Sequence, residues 1–449
     1  VLPVVPNLVA FLAAVLYGGG LALQNLFGWS LGFSVVSLAV VAGSWAVYGG
    51  LKSVAWTDFF TVIVMILGGL SVTVLGLKML GGESGSIIAG FNYMLTANQA
   101  NTGLWKEAVD ATAQTIAGTP DYNRLSIIQP ATHALWPWPN LIFATFTISI
   151  WYNVLNQFMI QRVLGAKNTY HARMGIVFAG LIKIMMPVII VLPGLILFAK
   201  YPEVLLKPWT EVQPEADKGY VHMLQTIVPT GLRGLFLAAL FGAIQSTVNS
   251  VLNSSATIIT LDFYKRLFAP EADQKQLVRV GIAASTVVLL VAMVLAGFIG
   301  QLGGSLFVYI QSLYAFFAPP FSAIFVLGIL FKRINAKGAT AAVFLGFALG
   351  IGLKLYVEYV PSHPAWIAPF ANQAIVNWLF CVVVCVVVSL MTAPPRVEQV
   401  DQSLMINWRA LSVGGADMGD RWYKNVFTWW LVFVCGILGL AFIFSGLFL

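Results

Sequence analysis

The chain alternates long apolar runs with short polar punctuation. No charged residue occurs from Val1 to Leu51, from Phe59 to Leu77 or from Val280 to Leu330, whereas a helix crossing a bilayer needs only about 20 apolar residues. Dividing the runs at Gly, Pro and charged positions predicts eleven spans, at residues 4–27, 30–49, 56–78, 139–162, 173–199, 226–262, 277–299, 305–331, 338–358, 373–391 and 426–448. The sixth is longer than a bilayer requires and is expected to extend into the cytoplasm. The Lys and Arg of the short loops fall on alternate sides. One set holds Lys52; Arg162, Lys167 and Arg173; Lys265, Arg266, Lys275 and Arg279; Lys332, Arg333 and Lys337; and Arg396, Arg409, Arg421 and Lys424. The positive-inside rule puts that set in the cytoplasm. The turn at 26–29 and the linker at 300–304 are uncharged, and the loop around Pro361 and His363 has neither Lys nor Arg. The predicted topology therefore starts inside and ends outside. Two larger outer segments, 80–138 and 200–221, mix both signs of charge with Trp and Pro, as surface loops or short surface helices do. Trp136, Trp138, Trp366, Trp422, Trp429 and Trp430 stand at span ends, where indoles anchor at the membrane interface.

Composition strengthens the pattern. Of 449 residues, 59% are hydrophobic and 9% charged, against about 45–50% and 25% in soluble domains, so the predicted class is an all-α, multi-pass membrane protein of a cell membrane, plasma or bacterial inner. The net charge of +7 resides mostly in the short loops, so the partner it implies is a lipid bilayer and not nucleic acid. Cys381, Cys385 and Cys435 lie within apolar segments, and His133, His171, His222 and His363 are scattered singly in loops. Neither set has metal-ligand or redox spacing, and no constellation suggests catalysis. The chain is read as a non-enzyme. It opens Val-Leu-Pro without Met or a charged leader, which reads as a start within a longer protein.

An ionisable side chain at membrane depth costs at least about 2.5 kcal/mol, which singles out a few positions. Lys183 sits ten residues into the fifth span, where it either reaches a bundle carbonyl or serves a site. Asp58, at the inner start of the third span, is a helix-terminal carboxylate or a cation station. The sixth span carries Ser246, Asn249, Ser250 and Asn253 at three- and four-residue spacing, on one face. Such a stripe is interhelical glue or a set of hard oxygen donors for a cation such as Na+. The fourth span carries Ser149, Trp151, Tyr152, Asn153, Asn156 and Gln157, and the eighth Tyr309-Ile310-Gln311-Ser312. Aromatics beside amides and hydroxyls form a packing layer or a carbohydrate site, since a sugar offers apolar faces and a rim of hydroxyls that need partners.

Several stretches, in order along nearly the whole chain, resemble the sodium/solute symporter family and its sodium–glucose branch. They are Tyr48-Gly49-Gly50-Leu51 with Trp56-Thr57-Asp58, Asn156-Gln157 with Gln161-Arg162-Val163-Leu164-Gly165-Ala166-Lys167, Leu192-Pro193-Gly194, Ser254-Ser255-Ala256-Thr257 with Asp262-Phe263-Tyr264, Tyr309-Ile310-Gln311, and Phe331-Lys332-Arg333 with Lys337-Gly338-Ala339. The resemblance implies a LeuT-type inverted-repeat bundle forming one transporter domain over 1–449. Residues 1–79 would be the last three helices of the first repeat, 80–138 an extracytoplasmic loop, 139–331 the second five-helix repeat and 332–449 additional helices. The first repeat's two opening helices, and one before them, would then be missing from this chain. It further implies sodium-coupled symport of a sugar or related polyol. Ala243 would offer a backbone carbonyl, and Ser246 and Thr247 hydroxyls, to one Na+. Asp58, Asn249 and Ser250 would hold a possible second. Ser149, Tyr152, Asn153, Lys183 and Gln311 would contact the solute, with Tyr152 beneath a pyranose ring. Asn153 replaces the Trp that similar sugar carriers often have, which widens the choice to other polyol-like solutes. The competing readings are a sodium-coupled carboxylate or amino-acid symporter and, further off, a membrane-embedded glycosyltransferase-type enzyme.

Overall fold

The computed structural model describes residues 4–99, 102–113, 116, 123–301, 305–396, 398, 400, 405–406, 418–419 and 421–445, without the side chains of 47–53, 209 and 210. The side chains of Tyr48, Leu51 and Lys52, all of Arg409 and part of the 300–304 linker lie outside that description. Helices make up the regular structure of the described residues: α1 Val4–Phe27, α2 Leu31–Leu80, α3 Ile87–Asn98, α4 Gly103–Thr112, α5 Pro139–Ala144, α6 Gln157–Leu164, α7 Thr169–Met186, α8 Leu192–Lys200, α9 Trp209–Ile227, α10 Thr230–Thr257, α11 Gln274–Ile299, α12 Leu306–Leu330, α13 Ala336–Tyr359, α14 Phe370–Met391 and α15 Val426–Ile443. In a bilayer every backbone N–H and C=O must be satisfied within its own segment, and helices achieve this. Starts follow the local code. Ser30, Asp273, Asn335 and Asn425 each accept a backbone N–H of the first turn that follows, as short polar residues do just before an apolar run.

Among the described residues, nine helical stretches are long and apolar enough to cross a membrane. They account for nine of the predicted spans. The other two, 30–49 and 139–162, depart from regular spans in different ways. The first continues into the next as one helical run of 50 residues, α2. That run is not straight. A Cβ at Gly19 would meet both Leu38 and Ile244, and one at Gly242 would meet Thr61. Leu38 and Thr61 thus reach nearly the same level of α10, though a straight helix would hold them about 35 Å apart. The run therefore bends between Leu38 and Thr61; within it Val54–Leu80 is long and apolar enough to cross a membrane, and Leu31–Ala46 is a shorter apolar helix. The second, 139–162, is interrupted, as described below.

The chain forms two compact units, residues 1–112 with 185–310 and residues 113–184 with 311–449. In the first unit, Val72 and Leu77 of α2, Met94 and Ala97 of α3, Ile196 and Ala199 of α8, Met223 and Leu224 of α9 and Phe236 of α10 form one buried cluster. It joins the predicted outer segments to the bundle. α9 is strapped down at two further points, where Asp217 Oδ2 accepts the Leu306 N–H that opens α12 at 2.9 Å and Gln225 Nε2 donates to the Asn25 carbonyl at 2.7 Å. At the start of α3, a Cβ on Gly90 would strike the Leu77 carbonyl oxygen and lie 3.0 Å from the Gly81 nitrogen. Backbone cannot yield as a side chain tip does. Gly90→Ala should therefore cost about 1–3 kcal/mol, read as a lowered melting temperature of the purified protein.

In the second unit, Ala323, Leu327, Ala342, Cys381 and Cys385 form a core of α12, α13 and α14. Two of the three cysteines thus pack as small apolar side chains, and all three are free thiols. Asn335 Nδ2 donates to Thr392 Oγ1 at 2.7 Å and to the Ala393 carbonyl at 2.8 Å, fastening the start of α13 to the end of α14. In the segment before α5, His133 Nδ1 accepts the Leu135 and Trp136 N–H groups at 3.2 and 3.0 Å. Burial holds its pKa below the usual imidazole value. The unfolded chain therefore takes up the proton first as pH falls. Stability should be constant above about pH 6.5 and decline below it until the folded-state pKa is passed. Melting curves of wild type and His133→Gln between pH 7.5 and 5.5 test this, the variant losing that part of the decline.

Candidate functional site

In the first unit, the polar stripe of α10 faces the second half of α2. Ser246 Oγ donates to Asp58 Oδ1. Thr247 Oγ1 donates to the Ala243 carbonyl at 3.1 Å, Ser250 Oγ to the Ser246 carbonyl at 2.5 Å and Ser254 Oγ to the Ser250 carbonyl at 2.8 Å. Asn249 is wholly buried, and neither its Oδ1 nor its Nδ2 has a hydrogen-bond partner. An unpaired buried amide costs about 1–3 kcal/mol. Glue between helices would consume its polar groups; here one amide is left over, three residues on from the Ser246 hydroxyl that meets Asp58. Carboxylate, hydroxyl, amide and carbonyl oxygens are the donors that a hard cation takes. Ser246 stands between the two predicted sodium sets, since its hydroxyl meets Asp58 while its helix carries Ala243 and Thr247.

The second unit holds all five predicted solute contacts. The fourth span is discontinuous: α5 runs into two wide turns, Thr145–Ser149 and Trp151–Leu155, and Asn156 then adopts an extended conformation, φ −68° and ψ 122°, before α6 begins. The wide turns carry i→i+5 bonds, such as Asn156 N–H to the Trp151 carbonyl at 2.8 Å. Such turns recur at functional sites. Asn153 bridges the predicted set, its Nδ2 donating to the Ser149 carbonyl at 3.0 Å and its Oδ1 accepting from Lys183 Nζ of α7 at 3.3 Å. Lys183 Nζ also lies 5.5 Å from the centre of the Tyr152 ring. Tyr152 in turn packs edge-on against Phe158 and Tyr314, at 6.0 and 5.5 Å between centroids. Gln311 precedes Tyr314 by nearly one turn of α12, which puts the two on one face. Asn153 and Lys183 are exposed. A lysine bared to lipid that far into a span would be costly. Sequence reasoning missed the helix interruption and Tyr314. The signal for the first was Asn156 itself, a helix-starting residue type inside an apolar run.

A profile of the Sodium:solute symporter family matches residues 2–346. The chain belongs to that family. The symporter is 32% identical over 414 residues to the sodium/glucose cotransporter of Vibrio parahaemolyticus, an alignment covering 90% of this chain and 71% of that protein. It is 32% identical over 410 residues to the sodium/myo-inositol cotransporter of Mus musculus, covering 87% of this chain but 56% of its relative. In fold it matches a solved Na+-coupled sialic acid symporter in a substrate-bound outward-open state, with a TM-score of 0.59 and 20% identity over 88% of this chain and 74% of that one. The fold class is thus the LeuT-type bundle, and the protein is a multi-pass membrane transporter, not an enzyme.

Proposed function

We propose that this symporter carries a sugar or related polyol across the membrane, driven by sodium, through alternating access. The observation that carries the sodium half is the Asp58–Ser246 contact, because it brings a carboxylate onto a helix face of hydroxyls and an unpaired buried amide. One Na+ would take the Ala243 carbonyl with Ser246 and Thr247; a second would take Asp58, Asn249 and Ser250. A monovalent cation there neutralises Asp58 and gives Asn249 Oδ1 a partner, so binding favours the closed packing of α10 on α2. On the solute side, the Tyr152 ring offers an apolar face, while Ser149, Asn153, Lys183 and Gln311 offer donors and acceptors around it. Relatives named for glucose and myo-inositol support a polyhydroxylated solute. Each Na+ entering down the potential adds about 2.3 kcal/mol per 100 mV to the concentration gradient.

One observation favours a second reading, in which the solute bears a carboxylate. Lys183 meets a neutral amide at 3.3 Å and a ring face, so those contacts leave its positive charge unbalanced. Uptake into proteoliposomes under an inward sodium gradient, comparing radiolabelled hexoses, inositols and monocarboxylates, decides between the two. Accumulation of a hexose or inositol that collapses when sodium is replaced by choline is the expected result.

A further inference from the structure

Asn156 is assigned no role in the sites above, yet its surroundings are the least settled in the fourth span. It is wholly buried, and both Nδ2 and Oδ1 lack a hydrogen-bond partner. An asparagine at the start of a helix normally spends its side chain on the first turn. Here Asn156 occupies that position for α6, and its backbone carbonyl accepts the Met159 and Ile160 N–H groups at 3.0 Å each, while the side chain makes no capping bond. An amide able to make up to four hydrogen bonds therefore makes none. It sits at the break in the very helix that bears Ser149, Tyr152 and Asn153, and the Tyr152 ring packs across that break onto Phe158. Discontinuous helices in secondary transporters line the solute site, and a buried unpaired amide at such a break fits a group that waits for its partner.

We propose that Asn156 is a solute-binding residue that recognises a pair of neighbouring hydroxyls on the transported polyol, accepting from one through Oδ1 and donating to the other through Nδ2. A vicinal diol presents that donor and acceptor pair at the spacing of an amide edge. The inference rests on the polyol reading above and adds one contact to it, at the break that follows Tyr152 in the chain.

The test uses the full-length symporter at saturating sodium, with glucose and myo-inositol as probes and the deoxy analogues of whichever binds. Asn156→Leu keeps the shape and removes both polar atoms, and Asn156→Asp keeps the acceptor alone. The expected result is that Asn156→Leu melts no lower than wild type without solute, retains its sodium affinity, and binds the probe about 10- to 100-fold more weakly, with Asn156→Asp between the two. A deoxy analogue lacking one of the two hydroxyls should lose affinity for wild type but show no further loss with Asn156→Leu. Unchanged probe affinity in Asn156→Leu would overturn the inference alone, as would a variant that melts lower and loses sodium and solute together, the mark of a structural role. Wild type that binds neither probe would overturn the polyol reading and this contact with it.

Discussion

Replacing Asp58 by asparagine is expected to weaken sodium binding by at least about thirtyfold, the lower end of the 2–5 kcal/mol typical when one member of a buried, hydrogen-bonded charged pair is truncated. Asn keeps the shape and can still accept from Ser246, so packing of α2 on α10 survives. What disappears is the negative charge that a cation would balance. The half-saturating sodium concentration for uptake should rise accordingly, while solute affinity at very high sodium recovers. Ser246→Ala with Thr247→Ala should act in the same direction through the neighbouring set. Sodium-dependent uptake that survives either change with an unaltered sodium curve would remove these residues from the ion path.

Lys183→Gln carries the second large effect and separates the two solute classes. Gln retains donors for a neutral hydroxyl and for the Asn153 oxygen, so a polyol carrier should lose about tenfold in affinity, on the scale of one charge-assisted hydrogen bond. If the solute carries a carboxylate, the same change deletes its counter-charge, and the loss should exceed about a hundredfold. Binding isotherms of the purified symporter with hexose, inositol and monocarboxylate read the difference directly.

The spans were legible because membrane physics leaves helix as the answer for a long apolar run; the caps at Ser30, Asp273, Asn335 and Asn425 emerged only with the structure. The loop expected at Lys52 is not there: the backbone stays helical through it, and α2 runs from Leu31 to Leu80. The interruption at Asn156 had one faint signal, the asparagine itself inside an apolar run. Neither Gly nor Pro marks it, and the wide turns before it have no residue signature of their own. The candidate sites were legible as residue types but not as pairs. Asp58 and Ser246 are 188 positions apart, and Asn153 and Lys183 are 30 apart, so only the fold brings each pair together. Asn153 shows the gap most clearly. From sequence it is the absence of a Trp; in the structure it is the amide that orients Lys183 over the Tyr152 ring.

The break at Asn156 also has a dynamic consequence. It leaves α6 with eight residues, well under the about 12–15 at which a helix begins to hold together by itself. Its backbone amides should therefore exchange with deuterium earlier than those of the unbroken α10 and α11. They should slow when a bound solute ties the two sides of the break into one cooperative segment, so isotope uptake at residues 157–164 would report occupancy without any label on the solute.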